Sequence, residues 1–311
     1  MKQKLIFILL ALMLLLPIPG MATEKLTLML DWFPNVDHLP IYLAREKGFF
    51  KDLGLEVEII TPSETSDALK LAAAGNVDLA VSYQPQTIIA ADQGLDIKAV
   101  APLVVHPLTT LLFLDESIKT PADLSGKKIG YTVPGLMDVL LKAFADINGI
   151  KNYTPVNVGF TILPALVSNK VDAVMGPFKT YETVGMKKHG YVARFFELEK
   201  YGIPDYEELI FVAGSKTLSN KAKAVQGFVK AIHMALAELA ARPEAALKTY
   251  LTAVPEADKE IETAAFELTR PYFASNAGHD PAQWQAFADF ALEYGLIKNH
   301  VNGNALIHNW K

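Results

Sequence analysis

The sequence contains no cysteine, which removes disulfides, thiol nucleophiles and thiolate metal ligands together. It also excludes a lipid-anchored lipoprotein, whose anchor is built on a cysteine at the cleavage point. The seven histidines, at positions 38, 106, 189, 233, 279, 300 and 308, form no HExxH pattern or other close metal-ligand spacing. There is no GxSxG nucleophile elbow, and no glycine-rich phosphate loop of a known pattern. GYTVPG, from Gly130 to Gly135, is a turn before a helix that offers backbone N–H groups to an anion, which alone is a weak signal. Positive charge is scarce too: 29 Lys and Arg face 34 Asp and Glu, a net charge of −5, so nucleic acid is a poor partner. Low-complexity tracts and like-charge blocks are also absent.

Apolar length is confined to one place. Lys2 and Lys4 precede an apolar run from Leu5 to Leu16, and Gly20-Met21-Ala22 supplies the small residues of a cleavage site. This reads as a secretory signal peptide over residues 1–22. No later stretch approaches the roughly 20 apolar residues that a spanning helix needs. The expectation is an exported, soluble mature chain with a net charge of −7, large enough for two domains.

Two internal echoes describe how those domains are built. LKLAAAGNVDLAVSYQP, Leu69 to Pro85, resembles ILPALVSNKVDAVMGPF, Ile162 to Phe178. Each reads as an apolar helix, a stop, and a buried strand opening on Val-Asp. KLTLMLDWFPN, Lys25 to Asn35, and KKIGYTVPGLM, Lys127 to Met137, both read as a strand running into a loop and then a helix. Two α/β lobes on one plan account for both echoes, the second inserted into the first. Lobe 1 is expected over residues 23–107 and 206–311, lobe 2 over 108–205, with crossings at Pro107 to Leu114 and Pro204 to Ala213. From Asn220 onward the spacing of apolar residues is mainly helical.

On this plan four loops, Asp31–His38, Ser82–Gln86, Tyr131–Asp138 and Gly176–Glu182, lie at the carboxyl ends of strands and face one cleft, where α/β sheets bind ligands. Trp32 offers a large flat face for stacking a ligand. Asn35 caps the following helix, contacts ligand, or does both through different atoms of its amide. His38, on the first turn, is a structural hydrogen-bonder or a contact. Ser82 and Tyr83 add polar groups. In GPFKTYETVG, Phe178 and Tyr181 are packing aromatics or the wall of a site, and Glu182 complements a helix dipole or accepts from the exocyclic amine of a flat heterocycle. Asp138 and Lys179 stand in the same loops with less to mark them.

LDWFPNVDHLPIYLAREKGFFKDLGLEVEI, followed by GNVDLAVS, LSGKKIGY and VDAVMG, resembles the family of thiamine-pyrimidine precursor proteins. That family includes periplasmic binding proteins of ABC importers and fungal pyrimidine synthases. The carboxyl-terminal AVPEADKEIETAAFELTRPYF with DPAQWQAFADFALEYGLI is more similar to the bacterial importers. The resemblance implies the type II periplasmic-binding fold, a formyl-aminopyrimidine ligand held by an aromatic at Phe178 and a carboxylate at Glu182, and an ABC permease in the inner membrane as partner. A monomer without cofactor or metal is expected. The fungal enzymes carry a pyridoxal-phosphate lysine and a substrate histidine where this chain has Ser82 and Gln86, and a cysteine-rich segment it lacks, which disfavours synthase activity. The usual Tyr-Trp is Phe178-Lys179 here, which leaves riboflavin, a sulfonate or nitrate as rival ligands.

Overall fold

The computed structural model describes residues 23–275 and 278–310, so the expected signal peptide lies outside the described residues. The strands, in chain order, are β1 (Glu24–Met29), β2 (Leu55–Ile60), β3 (Leu79–Ser82), β4 (Ile97–Val104), β5 (Thr109–Phe113), β6 (Lys128–Tyr131), β7 (Thr154–Asn157), β8 (Ala173–Phe178), β9 (Arg194–Glu197) and β10 (Leu209–Gly214). They form two five-stranded sheets, ordered β2-β1-β3-β10-β4 and β7-β6-β8-β5-β9. The wiring is the same in each: three parallel strands, then one antiparallel strand, then a fifth paired antiparallel to it. The antiparallel member, β10 or β5, is the first strand the chain makes on entering that sheet from the other.

The sequence echo is repeated hydrogen bond for hydrogen bond. The helix Asp67–Ala74 ends at Gly75, with φ of 74°, and the helix Ile162–Val167 is followed by Asn169, with φ of 56°. Glycine and asparagine tolerate this left-handed conformation best, and both ends close with the same reach back over five residues, Asn76 N–H to Leu71 O and Lys170 N–H to Ala165 O. The aspartate that follows then staples its strand to the neighbour. Asp78 Oδ2 accepts from Thr27 N–H at 2.9 Å in the first sheet, and Asp172 Oδ2 accepts from Lys128 N–H at 2.8 Å in the second.

The core lies around the sheets and beneath the carboxyl-terminal helices. Ala222–Ala241 presents Val225, Phe228, Val229 and Ile232 at helical spacing, all buried, and Phe228 stacks on Phe50 at 5.4 Å. The last described segment returns to the first sheet, where Trp310 donates from Nε1 to Val100 O at 3.0 Å. Between the sheets the chain passes through β4 to β5 and through residues 198–208 to β10. Buried Glu208 ties the two passages together, accepting from the N–H groups of Leu108 and Thr109 and from the Thr109 hydroxyl at 2.6–2.8 Å.

Candidate functional site

A narrow cavity opens between loops that leave the two sheets. The loop after β1 contributes most of one side. Asn35 Oδ1 accepts from Asp37 N–H at 2.9 Å and caps a short 3₁₀ turn, Val36–His38, while its Nδ2 donates to Phe33 O at 3.3 Å. The Asn35 N–H donates to His38 Nδ1 at 3.3 Å, so the ring proton is on Nε2 and donates to Asp31 Oδ1 at 2.9 Å. Tyr83 OH donates to the other Asp31 oxygen at 2.7 Å. Strand, turn and helix thus converge on one buried carboxylate.

Trp32 leaves this loop partly buried, lines the cavity, and packs its ring 4.5 Å from Phe160. From the second sheet come Thr132, Ile162, Gly176, Phe178, Tyr181 and Glu182. Gly176 sits inside β8 with φ of 125°, and a Cβ there would meet Thr132 Oγ1 at 2.0 Å, so the strand bends at a position only glycine fits. Glu182 heads the helix Glu182–Lys188, where its Oε2 accepts from Phe178 N–H at 2.7 Å. The residue keeps some accessible surface, yet its carboxyl is crowded by protein, and that burial pushes it up to about 7 against the pull of the Phe178 N–H.

Hydrogen bonds join the two sides. Thr65 Oγ1 donates to Thr132 O at 2.7 Å, Tyr181 OH donates to Glu262 Oε1 at 2.8 Å, and Lys188 Nζ reaches Asp258 at 2.7 Å. Burial, then the adjacent Glu262 charge, raises the Tyr181 phenol above its ordinary value, so it stays a donor.

Of the residues singled out from the sequence, Trp32, Asn35, His38, Tyr83, Phe178, Tyr181 and Glu182 all line the cavity. Ser82 does not. It is fully buried in β3, and its hydroxyl donates to Gln86 Oε1 at 2.8 Å. Asp138 is also elsewhere engaged, accepting from Gly135 N–H at 2.7 Å. Lys179 turns away from the cavity to Glu197 and Glu199, each at 2.9 Å, and lies over the Tyr272 ring. Burial works against its charge, but the Glu199 and Glu197 hydrogen bonds outweigh it and hold the amine above its ordinary value.

Asp31, Asp37, Thr132 and Gly176 also line the cavity, within the loops expected there but not singled out in them, and Ile162 and Leu209 line it from outside those loops. Two acids bracketing DWFPNVD were the available signal. Thr132, Ile162 and Leu209 look like any strand or helix core position. The resulting lining has three carboxylates, four aromatic rings and no Lys or Arg among the described residues. No group of acidic or histidine side chains that would hold a metal ion occurs among the described residues. Nor is any described helix long and apolar enough to cross a membrane.

A family model described as NMT1/THI5 like matches residues 35–246. The chain belongs to that family. Within it, a Haemophilus influenzae protein named for thiamine biosynthesis is 38% identical over 291 residues, 91% of each chain. The formylaminopyrimidine-binding protein of Halalkalibacterium halodurans is 32% identical over 79% of this chain and 77% of its own. The family also reaches enzymes: a 4-amino-5-hydroxymethyl-2-methylpyrimidine phosphate synthase of Saccharomyces cerevisiae is 26% identical over 89% and 85% of the two chains. Among solved structures, the alkanesulfonate-binding protein of Xanthomonas axonopodis, bound to MOPS, superposes with a TM-score of 0.72 over 93% of this chain and 99% of that one, at 17% identity. That likeness establishes the fold of periplasmic binding proteins and says nothing of the ligand.

Proposed function

We propose that this protein is the periplasmic solute-binding component of an ABC importer and that it binds a thiamine pyrimidine precursor, N-formyl-4-amino-5-aminomethyl-2-methylpyrimidine or a close relative. The two sheets are the cores of two lobes, residues 23–107 with 206–311 and residues 108–205, which close on the ligand. The Thr65, Tyr181 and Lys188 contacts are those that closure makes, so a ligand touching both sides stabilises the closed state. Export through residues 1–22, a monomeric state and delivery to a membrane permease complete the reading.

The observation that carries it is the lining. Trp32, from the loop after β1, and Phe178, at the end of β8, present flat apolar faces from different sheets, while Asp31, Asp37 and Glu182 supply carboxyl groups between them. A 4-aminopyrimidine is a flat ring with donors at its edge, which is what such a lining satisfies. A sulfonate or nitrate needs donors and positive charge, and Lys179, the one cation the sequence offered, is held by Glu197 and Glu199. A pyridoxal-phosphate enzyme needs a lysine amine for its Schiff base, and Ser82 stands there instead.

Calorimetry of the purified protein against aminopyrimidines, riboflavin, taurine and nitrate tests the reading. Binding of an aminopyrimidine and of none of the anions is the expected result. Binding of taurine or nitrate without any aminopyrimidine would overturn the ligand assignment and leave the fold untouched.

A further inference from the structure

We propose that the ligand of this cavity enters as a cation, a pyrimidine bearing a free primary aminomethyl group, and that Asp37 is the residue that receives the ammonium. The proposal rests on the aminopyrimidine reading above and sharpens it, because an N-formyl substituent is neutral.

Asp37 is fully buried, lines the cavity, and receives no hydrogen bond at either carboxylate oxygen. The other two acids are already supplied. Asp31 has His38 on one oxygen and Tyr83 on the other, and Glu182 has the Phe178 N–H. Asp37's own N–H is committed to Asn35, so the turn that carries the carboxylate does not neutralise it. The Thr269 hydroxyl beside it favours the ionised form as a weak donor, but does not reach ordinary hydrogen-bond geometry.

Charge compensation is thin as well: His38 is engaged at Nδ1 by the Asn35 N–H and at Nε2 by Asp31, and no Lys or Arg lines the cavity among the described residues. Of the charged groups bearing on Asp37, His38 next to it in the turn favours its ionised form, and Glu182 and Asp31 oppose it. A second polar layer beside it, Glu262 with Tyr181 and Tyr250, adds no cation. A buried acid with no hydrogen bond of ordinary geometry and no Lys or Arg against it is costly, and is retained where a partner arrives from outside. Burial accordingly pushes Asp37 up to about 7, so near neutrality it exchanges its proton for whatever cation is offered. A protonated aminomethyl group brings both the charge and three N–H donors. A formamide at the same place brings one donor and a carbonyl oxygen, which a carboxylate repels.

The test is a comparison of three probes by calorimetry at pH 7: 4-amino-5-aminomethyl-2-methylpyrimidine, its N-formyl derivative, and the neutral 5-hydroxymethyl analogue. The amine should bind about tenfold or more tighter than either neutral probe. Repeating the amine titration in buffers of different ionisation enthalpy should show proton release, as bound cation drives Asp37 to ionise. Asp37→Asn should remove most of the preference, lowering the affinity for the amine by about tenfold more than that for either neutral probe. Its melting temperature should hold or rise, since the unpaired acid is gone. An N-formyl probe that binds as tightly as the amine, or an Asp37→Asn loss shared equally by all three, would overturn the proposal while the aminopyrimidine reading stands. Binding of none of the three would overturn both. Should the variant fail to fold, the wild-type preference and proton release decide alone.

Discussion

At Glu182 the Phe178 N–H occupies one carboxylate oxygen at 2.7 Å, and the same side chain lines the cavity, so a substitution separates two roles. Glutamine keeps an acceptor for Phe178 but loses the charge that meets an exocyclic amine. Glu182→Gln should therefore weaken an aminopyrimidine by about tenfold, or roughly 1.4 kcal/mol, with the melting temperature hardly changed. Alanine also orphans the Phe178 N–H, so Glu182→Ala should lose binding and in addition about 1 kcal/mol of stability. Titration and thermal melts of both variants distinguish these outcomes; an unchanged affinity with a lowered melting temperature would make Glu182 a helix-start residue only. At this scale the sequence was legible where residue type and loop position coincide, as at Trp32, Phe178 and Glu182. It was not legible at Ser82, whose direction depends on strand register, nor at Asp37, where a surface-type residue is carried into the interior by a capped turn.

Among the elements, the most readable feature was the helix, stop and strand that occurs twice. Gly75 and Asn169 are the residue types that accept a left-handed backbone, and Val-Asp after each stop marks a strand whose aspartate staples the neighbour. The helix after Trp32 is as plain in the spacing of its apolar residues, formed over Leu39–Glu46 with Pro40 in its first turn. What periodicity cannot convey is approach between elements distant in sequence. The cavity depends on Thr132 lying against Gly176, on Phe160 bracing Trp32, and on Leu209 arriving from the last strand. Each of these is set by sheet order, in which β10 and β5 insert antiparallel after the crossings. The bend at Gly176 shows the limit plainly: a glycine in a strand signals a close approach, but not to what.

Across the whole molecule, four carboxyl groups in or near the interface share one condition. Burial pushes Asp37, Glu182, Glu208 and Glu262 each up to about 7, from ordinary values of 3.8 for Asp37 and 4.5 for the glutamates. Between those limits the folded protein holds protons that the unfolded chain has released, so their contribution is fully present below about pH 4 and is lost as pH rises through 7. The carboxylates held low by hydrogen bonds, such as Asp92 and Asp123, titrate below that window and do not oppose the trend. The ligand-free protein should thus melt at a higher temperature at pH 5.5 than at pH 8, as thermal scans across the range will show; a melting temperature that climbs steadily from pH 5.5 to 8 would contradict the burial of these groups. The central claim, that the cavity between the two sheets takes an aminopyrimidine by its ring faces and its amine, is tested most directly by a crystal structure with 4-amino-5-aminomethyl-2-methylpyrimidine bound. The ring should lie against Trp32 and Phe178, with amine nitrogens within hydrogen-bonding distance of Glu182 and Asp37. A ligand seated outside this cavity, or within it with both carboxylates unengaged, would contradict the account.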